Sequence, residues 1–229
     1  MWLDGAEVAA EVRALRPDYA ALLIVAEGLR PGPSDEASDA LLAIAEERAR
    51  KHLGGRPEEL PQVAEWRDAF RGFGAKPQRT RPSVEALLRR VDPGLPRIDR
   101  ITDAYNAVSI ARLLPVGGED LDRYAGPARL VRASGNEDFD TTADGQPVVE
   151  HPEPGEVVWR DDLGVTCRRW NWRQRLRTRI SHSTTTAMFI LDGLATLGTG
   201  GLRAAEAELT ESLARLSPGA TFASRLLEP

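Results

Sequence analysis

The sequence predicts an α+β protein in which helices surround a mainly antiparallel sheet, in one domain that spans residues 1–229. Two observations favour this class. Apolar residues at helical spacing dominate the chain as far as residue 114, whereas short apolar runs typical of strands dominate residues 128–191. A third observation favours one domain, because no internal repeat, low-complexity tract or long linker divides the chain.

One buried strand and one helix are expected first. The run YAALLIVAEGL at 19–29 predicts the strand, and the turn RPGPS follows it. Ser34 is the expected N-cap of the next helix, with acids in the first turn where they favour the helix dipole. That helix is predicted to stop at the glycine pair 54–55.

Three more helices are predicted before residue 115. They cover residues 60–71, 80–91 and 97–114. In the last of them, Ile98 and Tyr105 are expected on the core-facing side, and Asn106 lies just off that face. The first two helices carry apolar stripes that are typical of core.

Strands are predicted in the second half of the chain. Their expected positions are 128–134, 155–161, 164–172 and 178–191. The pair Asp161–Asp162 is plausible hairpin chemistry, with a solvated turn favoured over a functional carboxylate pair. An amphipathic helix is predicted after these strands, at 200–216.

The stretch CRRWNWRQ at 167–174 puts two of the five tryptophans among charges. As a strand, it would place Cys167, Arg169, Asn171 and Arg173 on one face and Arg168, Trp170, Trp172 and Gln174 on the other. Both faces would carry polar groups, which are costly to bury without hydrogen bonds. A ligand pocket is therefore predicted here, and a structural strand of stacked Trp and Arg is the alternative.

Charge is unevenly distributed along a chain whose net charge is −5. Residues 134–162 hold nine acids and one arginine, whereas 163–191 hold six arginines and no acid. Residues 71–100 hold eight basic residues against three acids. The two basic segments can build a local basic face for a nucleic acid. The alternative is that the acidic and basic segments pair with each other.

Several functional classes lack support in the sequence. No run is long and apolar enough for a membrane span, and the first residues do not resemble a signal peptide, so a cytoplasmic protein is expected. The single cysteine, Cys167, excludes an internal disulfide framework. The three histidines are scattered, so no metal site is predicted, and no nucleotide-binding or serine-hydrolase motif is present.

Five segments carry a family resemblance: RPSVEALLRRV, LPRIDRITDAYNAVSIARLLPVGGEDLD, GNEDF, PGEVVWRDDLGVTCRRWNWRQ and TTTAMFILDG. They resemble the freestanding B3/B4-domain proteins over most of the chain. These proteins are similar to the editing module in the β subunit of bacterial phenylalanyl-tRNA synthetase. The resemblance to that module is confined to about residues 81–195.

The resemblance implies a pocket that hydrolyses the ester of a wrongly charged aminoacyl-tRNA. An Asp-x-x-Asn helix of the synthetase module corresponds to Asp103–Asn106, and its Pro-Leu-His segment corresponds to 115–117, so that Gly117 replaces the histidine. A glycine-rich turn falls on 170–173, and a Leu-Glu pair falls on Leu191–Asp192. Tryptophan in place of glycine narrows the pocket, so a smaller or differently shaped aminoacyl group than tyrosine is expected.

Site residues follow from this correspondence. The predicted catalytic residues are Asn106, Arg173 and Asp192. The predicted substrate-binding residues are Tyr105, Gly117, Trp170, Asn171 and Trp172. The predicted RNA-binding residues are Arg168, Arg169 and Arg175.

The implied function is trans-editing: an ester hydrolase deacylates mischarged aminoacyl-tRNA with a positioned water. Because the ester is already activated, hydrogen-bond donors and a water-orienting group suffice, and no cofactor or metal is implied. The expected partner is tRNA, with an aminoacyl-tRNA synthetase as a second candidate and no membrane. Two alternatives stay open: a non-catalytic module that binds an amino acid or tRNA end and docks on a synthetase, and a hydrolase of other amino-acid esters or amides.

Overall fold

A computed structural model describes residues 2–143 and 145–229. Its α-helices within these ranges are α1 Ala10–Leu15, α2 Glu36–His52, α3 Pro61–Gly72, α4 Ser83–Leu88, α5 Arg100–Arg112 and α6 Gly198–Leu216. Its strands are β1 Glu7–Val8, β2 Ala20–Glu27, β3 Val116–Asp120, β4 Arg129–Arg132, β5 Phe139–Ala143, β6 Gln146–Glu150, β7 Val157–Asp161, β8 Gly164–Arg168, β9 Arg173–Gln174, β10 Thr186–Gly193 and β11 Thr221–Leu227. Short 3₁₀ turns occupy Pro57–Glu59 and Leu121–Arg123.

Two sheets and a hairpin organise these strands. One sheet has the order β11-β2-β10-β3, and all its pairs are antiparallel. The other has the order β1-β4-β7-β8-β9, in which only β1 and β4 are parallel. Strands β5 and β6 form a separate hairpin. The predicted α+β class with mainly antiparallel pairing is confirmed.

The four-stranded sheet separates two apolar cores. Side chains of a strand alternate between its faces, so Phe189 and Leu191 of β10 point to one side and Met188 and Ile190 to the other. The first side packs against α5 and α6. The second side packs toward α3, α4 and the five-stranded sheet. Asp192 shares the face of Ile190 and therefore lies on the side of the five-stranded sheet.

Three predicted helix starts are wrong. The helix predicted at 80–91 is α4, which begins at Ser83 after Pro82 as its N-cap and ends at Leu88. Asp35, not Ser34, caps α2: its Oδ1 accepts a hydrogen bond from the Ser38 amide, and Ser38 Oγ accepts one from the Asp35 amide, both at 3.0 Å. Ser34 instead donates to Asp103 Oδ2 at 2.5 Å. Asp99 caps α5, which leaves Ile98 outside the helix and 54% exposed instead of core-facing.

The predicted strands 164–172 and 178–191 are too long. Strand β8 ends at Arg168, because Arg169 and Trp170 adopt left-handed backbone angles with φ of 47° and 67°. The alternating faces predicted for 167–174 are therefore wrong beyond Arg168. The second strand begins only at Thr186. Strands β1, β3, β5, β6 and β11 lie outside the predicted strands.

Candidate functional site

A cavity of about 250 Å³ lies between the four-stranded sheet, helices α4 and α5, and the turn from β8 to β9. Its lining combines apolar side chains with a few acids, amides and arginines. The residues are Ser83, Ala86, Leu87, Arg90, Tyr105, Asn106, Val116, Gly117, Glu119, Trp159, Cys167, Trp170, Asn171, Trp172, Arg173, Gln174, Ile190 and Asp192. A mainly apolar cavity with a few converging polar groups is typical of a small-molecule site.

The register of β3 and β10 leaves space in the sheet-side wall of the cavity. Gly117 pairs with Ile190, and Glu119 pairs with Met188. A Cβ at Gly117 would meet nothing closer than Gln174 Nε2, at 3.4 Å. Because Gly117 has no side chain, the cavity extends to the backbone of β3 at this position.

The turn after β8 forms the opposite wall. Left-handed angles at residues such as Arg169 and Trp170 are unfavourable for side chains with a Cβ, so the surrounding structure must hold them. Trp170 is fully buried, and its ring lies edge-on to Tyr19 at 4.9 Å and Trp66 at 5.4 Å. Burial of this indole offsets the strain and fixes the turn against the core.

Asp192 is the last residue but one of β10, and its carboxyl is buried in the wall of this cavity. The Tyr19 hydroxyl donates to Oδ1 at 2.6 Å, and Asn171 Nδ2 donates to Oδ2 at 3.3 Å. Burial raises the pKa of Asp192 to about 7, although both hydrogen bonds act to lower it. A carboxyl with a pKa near neutrality can accept and release a proton at physiological pH.

Glu119 is a second buried acid of the cavity wall and is 1% exposed. Burial raises its pKa well above the ordinary value, and nearby Thr178 and Arg177 only partly oppose this. Thr178 and Thr166 lie close enough to lower this pKa, but neither Glu119 Oε2 nor Thr178 Oγ1 makes a hydrogen bond of normal geometry within the described residues. Neutral Glu119 can therefore both donate and accept a hydrogen bond.

Helix α5 contributes the first part of the predicted motif. Tyr105 and Asn106 are both buried and both line the cavity. Asp103 of the same helix lies apart from the cavity lining, where it accepts hydrogen bonds from Ser34 and the Ile98 amide. The motif thus divides into a structural acid and two residues of the cavity wall.

Five of the six arginines of 163–179 pair with acids of 134–162, as the charge-pairing alternative predicts. Arg168 is buried and donates to both Glu156 oxygens at 2.9 Å and to Glu150 at 2.6 Å. Further pairs join Arg169 to Glu156, Arg173 to Glu150, Arg175 to Asp140 and Arg177 to Asp161. The RNA-binding roles of Arg168, Arg169 and Arg175 stay predictions, and each of these residues has an acid partner.

Trp172 lies half-buried beneath several of these arginines. The guanidinium carbons of Arg169 and Arg173 lie 4.4 and 4.3 Å from the centre of its ring. Such stacking is the cation–π geometry. Trp172 thereby links the cavity lining to the ion-pair network.

A second cleft, of about 520 Å³, brings the two basic segments together. Lys76 and Arg79 line it from one segment, and Arg169 lines it from the other. Glu153 and Glu156 complete its charged lining. Since Arg169 directly precedes Trp170, the turn of the cavity wall is also part of this cleft.

All eight predicted catalytic and substrate-binding residues line the one cavity. Their chemical roles stay predictions. Sequence reasoning missed Tyr19, which holds Asp192, and Glu119. The alternation of β2, which begins just after Tyr19, and the acid directly after Gly117–Gly118 are the signals that point to them.

Three further features of the described residues concern membrane spans, metal sites and the single thiol. No described helix is long and apolar enough to cross a membrane. No group of three or more His, Cys, Asp or Glu residues within the described ranges is arranged to hold a metal ion. Burial raises the pKa of the Cys167 thiol well above its ordinary value, so the thiol stays protonated.

Comparison with known proteins identifies the family of this α+β chain. Residues 65–202, more than half of the chain, match the family model of the B3/4 domain, so the chain belongs to this family. A similar solved structure is an N-terminal fragment of the phenylalanyl-tRNA synthetase β subunit from Pyrococcus horikoshii, with 12% identity and a TM-score of 0.49. The alignment covers 98% of this chain and 54% of that fragment. A search of curated proteins gave no significant match.

Proposed function

We propose that the protein is a trans-editing hydrolase that deacylates mischarged aminoacyl-tRNA. The observation that carries the proposal is Asp192, a buried carboxyl with a pKa of about 7 in a cavity shared with Asn106 and Arg173. A base of this pKa is half-ionised at physiological pH and suits proton transfer from water. A cavity of about 250 Å³ has room for an aminoacyl group.

The reaction uses a water molecule positioned by the Asp192 carboxylate. The water oxygen attacks the ester carbonyl while its proton passes to Asp192. Arg173 and Asn106 supply donors for the developing oxyanion. The tetrahedral intermediate then collapses, the bond from carbon to the ribose oxygen breaks, and Asp192 returns the proton to that oxygen. Tyr19 and Asn171 hold the carboxylate in place throughout.

The second cleft is proposed to hold the phosphates near the tRNA end. Lys76, Arg79 and Arg169 are its basic groups, and its turn borders the cavity. Binding of tRNA should weaken as salt rises, with a slope of roughly one log unit per phosphate contact. A synthetase is a second candidate partner, and a cytoplasmic location fits both.

Long-range contacts support the prediction that residues 1–229 form one domain. Strand β11 pairs with β2, although they lie at opposite ends of the chain. Arg225 donates to the carbonyl oxygens of Asp4 at 2.8 Å and Ala6 at 3.1 Å. Both termini are thereby joined to the structure that carries the cavity.

The direct test is single-turnover deacylation across a panel of mischarged tRNAs with wild type and Asp192→Asn. Asparagine preserves the shape and can pair with Tyr19 and Asn171, but it is not a base. We expect wild type to deacylate at least one member and the variant to be slower by on the order of 100-fold. A wild-type circular dichroism spectrum and a cooperative thermal transition, at a melting temperature no lower than that of wild type, serve as the folding control, because removal of the titrating carboxyl is expected to stabilise the variant near pH 7.

A binding module without catalysis is the second candidate. It is favoured by one observation: both Asp192 oxygens are already hydrogen-bonded, to Tyr19 and Asn171. In that case wild type would bind an amino acid or tRNA end but deacylate no member of the panel. Equal deacylation by wild type and Asp192→Asn would remove Asp192 from the chemistry.

A further inference from the structure

Unpartnered polar groups are concentrated around the cavity. Of the described buried side-chain atoms without a hydrogen bond of normal geometry, five belong to cavity-lining residues: Ser83 Oγ, Glu119 Oε2, Trp159 Nε1, Trp170 Nε1 and Asn171 Oδ1. Two of the five have a hydroxyl nearby, Trp170 that of Tyr19 and Glu119 that of Thr178. Buried polar groups are nearly always paired in folded proteins. Their concentration around one cavity indicates that its natural ligand is polar beyond the ester that Asp192 faces.

Two of these groups belong to Glu119 and Trp159, on different sheets. Glu119 pairs with Met188, four residues before Asp192 on β10, which is about 13 Å along the strand. Trp159 pairs with Cys167 on the five-stranded sheet. Cys167, the strand partner of Trp159, lines the same cavity as Glu119 and Asp192.

The chemistry of this pair limits what it can bind. The Trp159 indole N–H only donates, so its ligand atom must be an acceptor. Buried Glu119, held neutral by its raised pKa, both donates and accepts. A hydroxyl or a carboxamide satisfies both residues at once. An apolar group leaves both unpaired, and a cation requires a buried carboxyl to ionise.

We propose that Glu119 and Trp159 determine specificity, and that they select an aminoacyl group with a small neutral polar side chain, a hydroxyl or a carboxamide. This inference rests on the proposed function and names its substrate class. The ester end lies at Asp192 and the side-chain end at Glu119. The rings of Trp170 and Trp172 line the space between and keep the side chain small.

The test compares isosteric pairs on one tRNA. Threonyl and valyl esters differ by a hydroxyl in place of a methyl, and asparaginyl and leucyl esters differ by a carboxamide in place of an isopropyl group. Deacylation is measured with wild type, Glu119→Leu and Glu119→Gln. Leucine keeps the size of Glu119 without hydrogen bonds, and glutamine keeps a neutral donor and acceptor.

We expect wild type to favour the polar member of at least one pair by at least about tenfold in kcat/KM. Glu119→Leu should bring that ratio near one, mainly by slowing the polar substrate. Glu119→Gln should keep the ratio within about threefold of wild type. A merely structural role of Glu119 would change both members of a pair equally, and that result would overturn the inference.

A separate measurement distinguishes this inference from the proposed function. If wild type hydrolyses no ester, the hydrolase proposal fails, and titration calorimetry with free L-threonine, L-valine, L-asparagine and L-leucine then tests selection alone. Tighter binding of the polar amino acids, lost in Glu119→Leu, supports the inference. Equal binding of both members of each pair, or binding of neither, contradicts it.

Discussion

The charged side chains on the two sides of the cavity differ in whether they form ion pairs. In the Arg-rich segment 163–179, Arg168 pairs with Glu150 and Glu156, and Arg177 pairs with Asp161. On the four-stranded sheet, Asp192 and Glu119 are equally buried, yet the described structure gives neither an ion pair. The Arg-rich side is a network of ion pairs whose charges neutralise each other. The sheet side carries two buried acids, each with a raised pKa and no ion pair among the described residues.

The difference separates structural charge from candidate functional charge. A buried ion pair satisfies its own members and needs no ligand. An isolated buried acid costs free energy of folding, and such acids with raised pKa values concentrate at functional sites. The basic segment, which the sequence suggests as an RNA surface, is thus mostly structural, whereas the chemistry is expected at the apolar sheet.

Removal of Arg168 should have the largest effect on stability. Arg168→Met leaves buried Glu156 with two backbone amide donors and only one cation, the more distant Arg169, so we expect a loss of about 3–5 kcal/mol in the free energy of unfolding. Urea denaturation measures it. The matched control is Arg215→Met, which breaks the exposed pair with Glu211 and should cost less than about 1 kcal/mol. Equal losses in both variants would show that the network is not structural.

Asp192 should make stability depend on pH. Its pKa rises from about 4 in the unfolded chain to about 7 in the folded protein, so the folded state binds more protons between these values. The free energy of unfolding should therefore fall as pH rises from 4 to 7, by at most about 4 kcal/mol, and level off above 7. Asp192→Asn should lack this component. Parallel pH curves for the two proteins would show that Asp192 titrates normally.

Trp172 links the two sides and should contribute less to stability. Trp172→Leu removes the ring beneath Arg169 and Arg173 but keeps an apolar side chain, so a loss of about 1 kcal/mol is expected. Thermal melting of the variant measures it. A loss several times larger would mean that Trp172 belongs to the core rather than to the rim of the cavity.

The sequence predicts well those elements whose apolar pattern is local. Strands β2 and β7 and helix α3 follow from apolar runs and stripes in their own residues. Strand β11 was missed because its exposed edge carries few of these signals. The turn after β8 was missed because nothing local requires Arg169 and Trp170 to adopt positive φ. Burial of the Trp170 ring requires it, and that depends on distant segments.

The same distinction applies to the cavity. Four of its eight predicted residues lie in 167–174, where the local pattern of tryptophans and polar residues already predicts a pocket. The other four, Tyr105, Asn106, Gly117 and Asp192, came from the family resemblance. Tyr19 meets Asp192 across 173 positions of sequence, through the pairing of β2 with β10. Glu119 enters the cavity because β3 pairs with β10 in one particular register. Sheet register over such distances cannot be read from one sequence.

The pH profile of single-turnover deacylation tests the central claim most directly. The substrate is the best member of the tRNA panel, and spontaneous hydrolysis is subtracted at each pH. If the Asp192 carboxylate is the base, the wild-type rate constant rises with pH to about 7 and then levels off, whereas the residual rate of Asp192→Asn lacks this step. A wild-type profile without the step, or the same step in Asp192→Asn, would contradict the account.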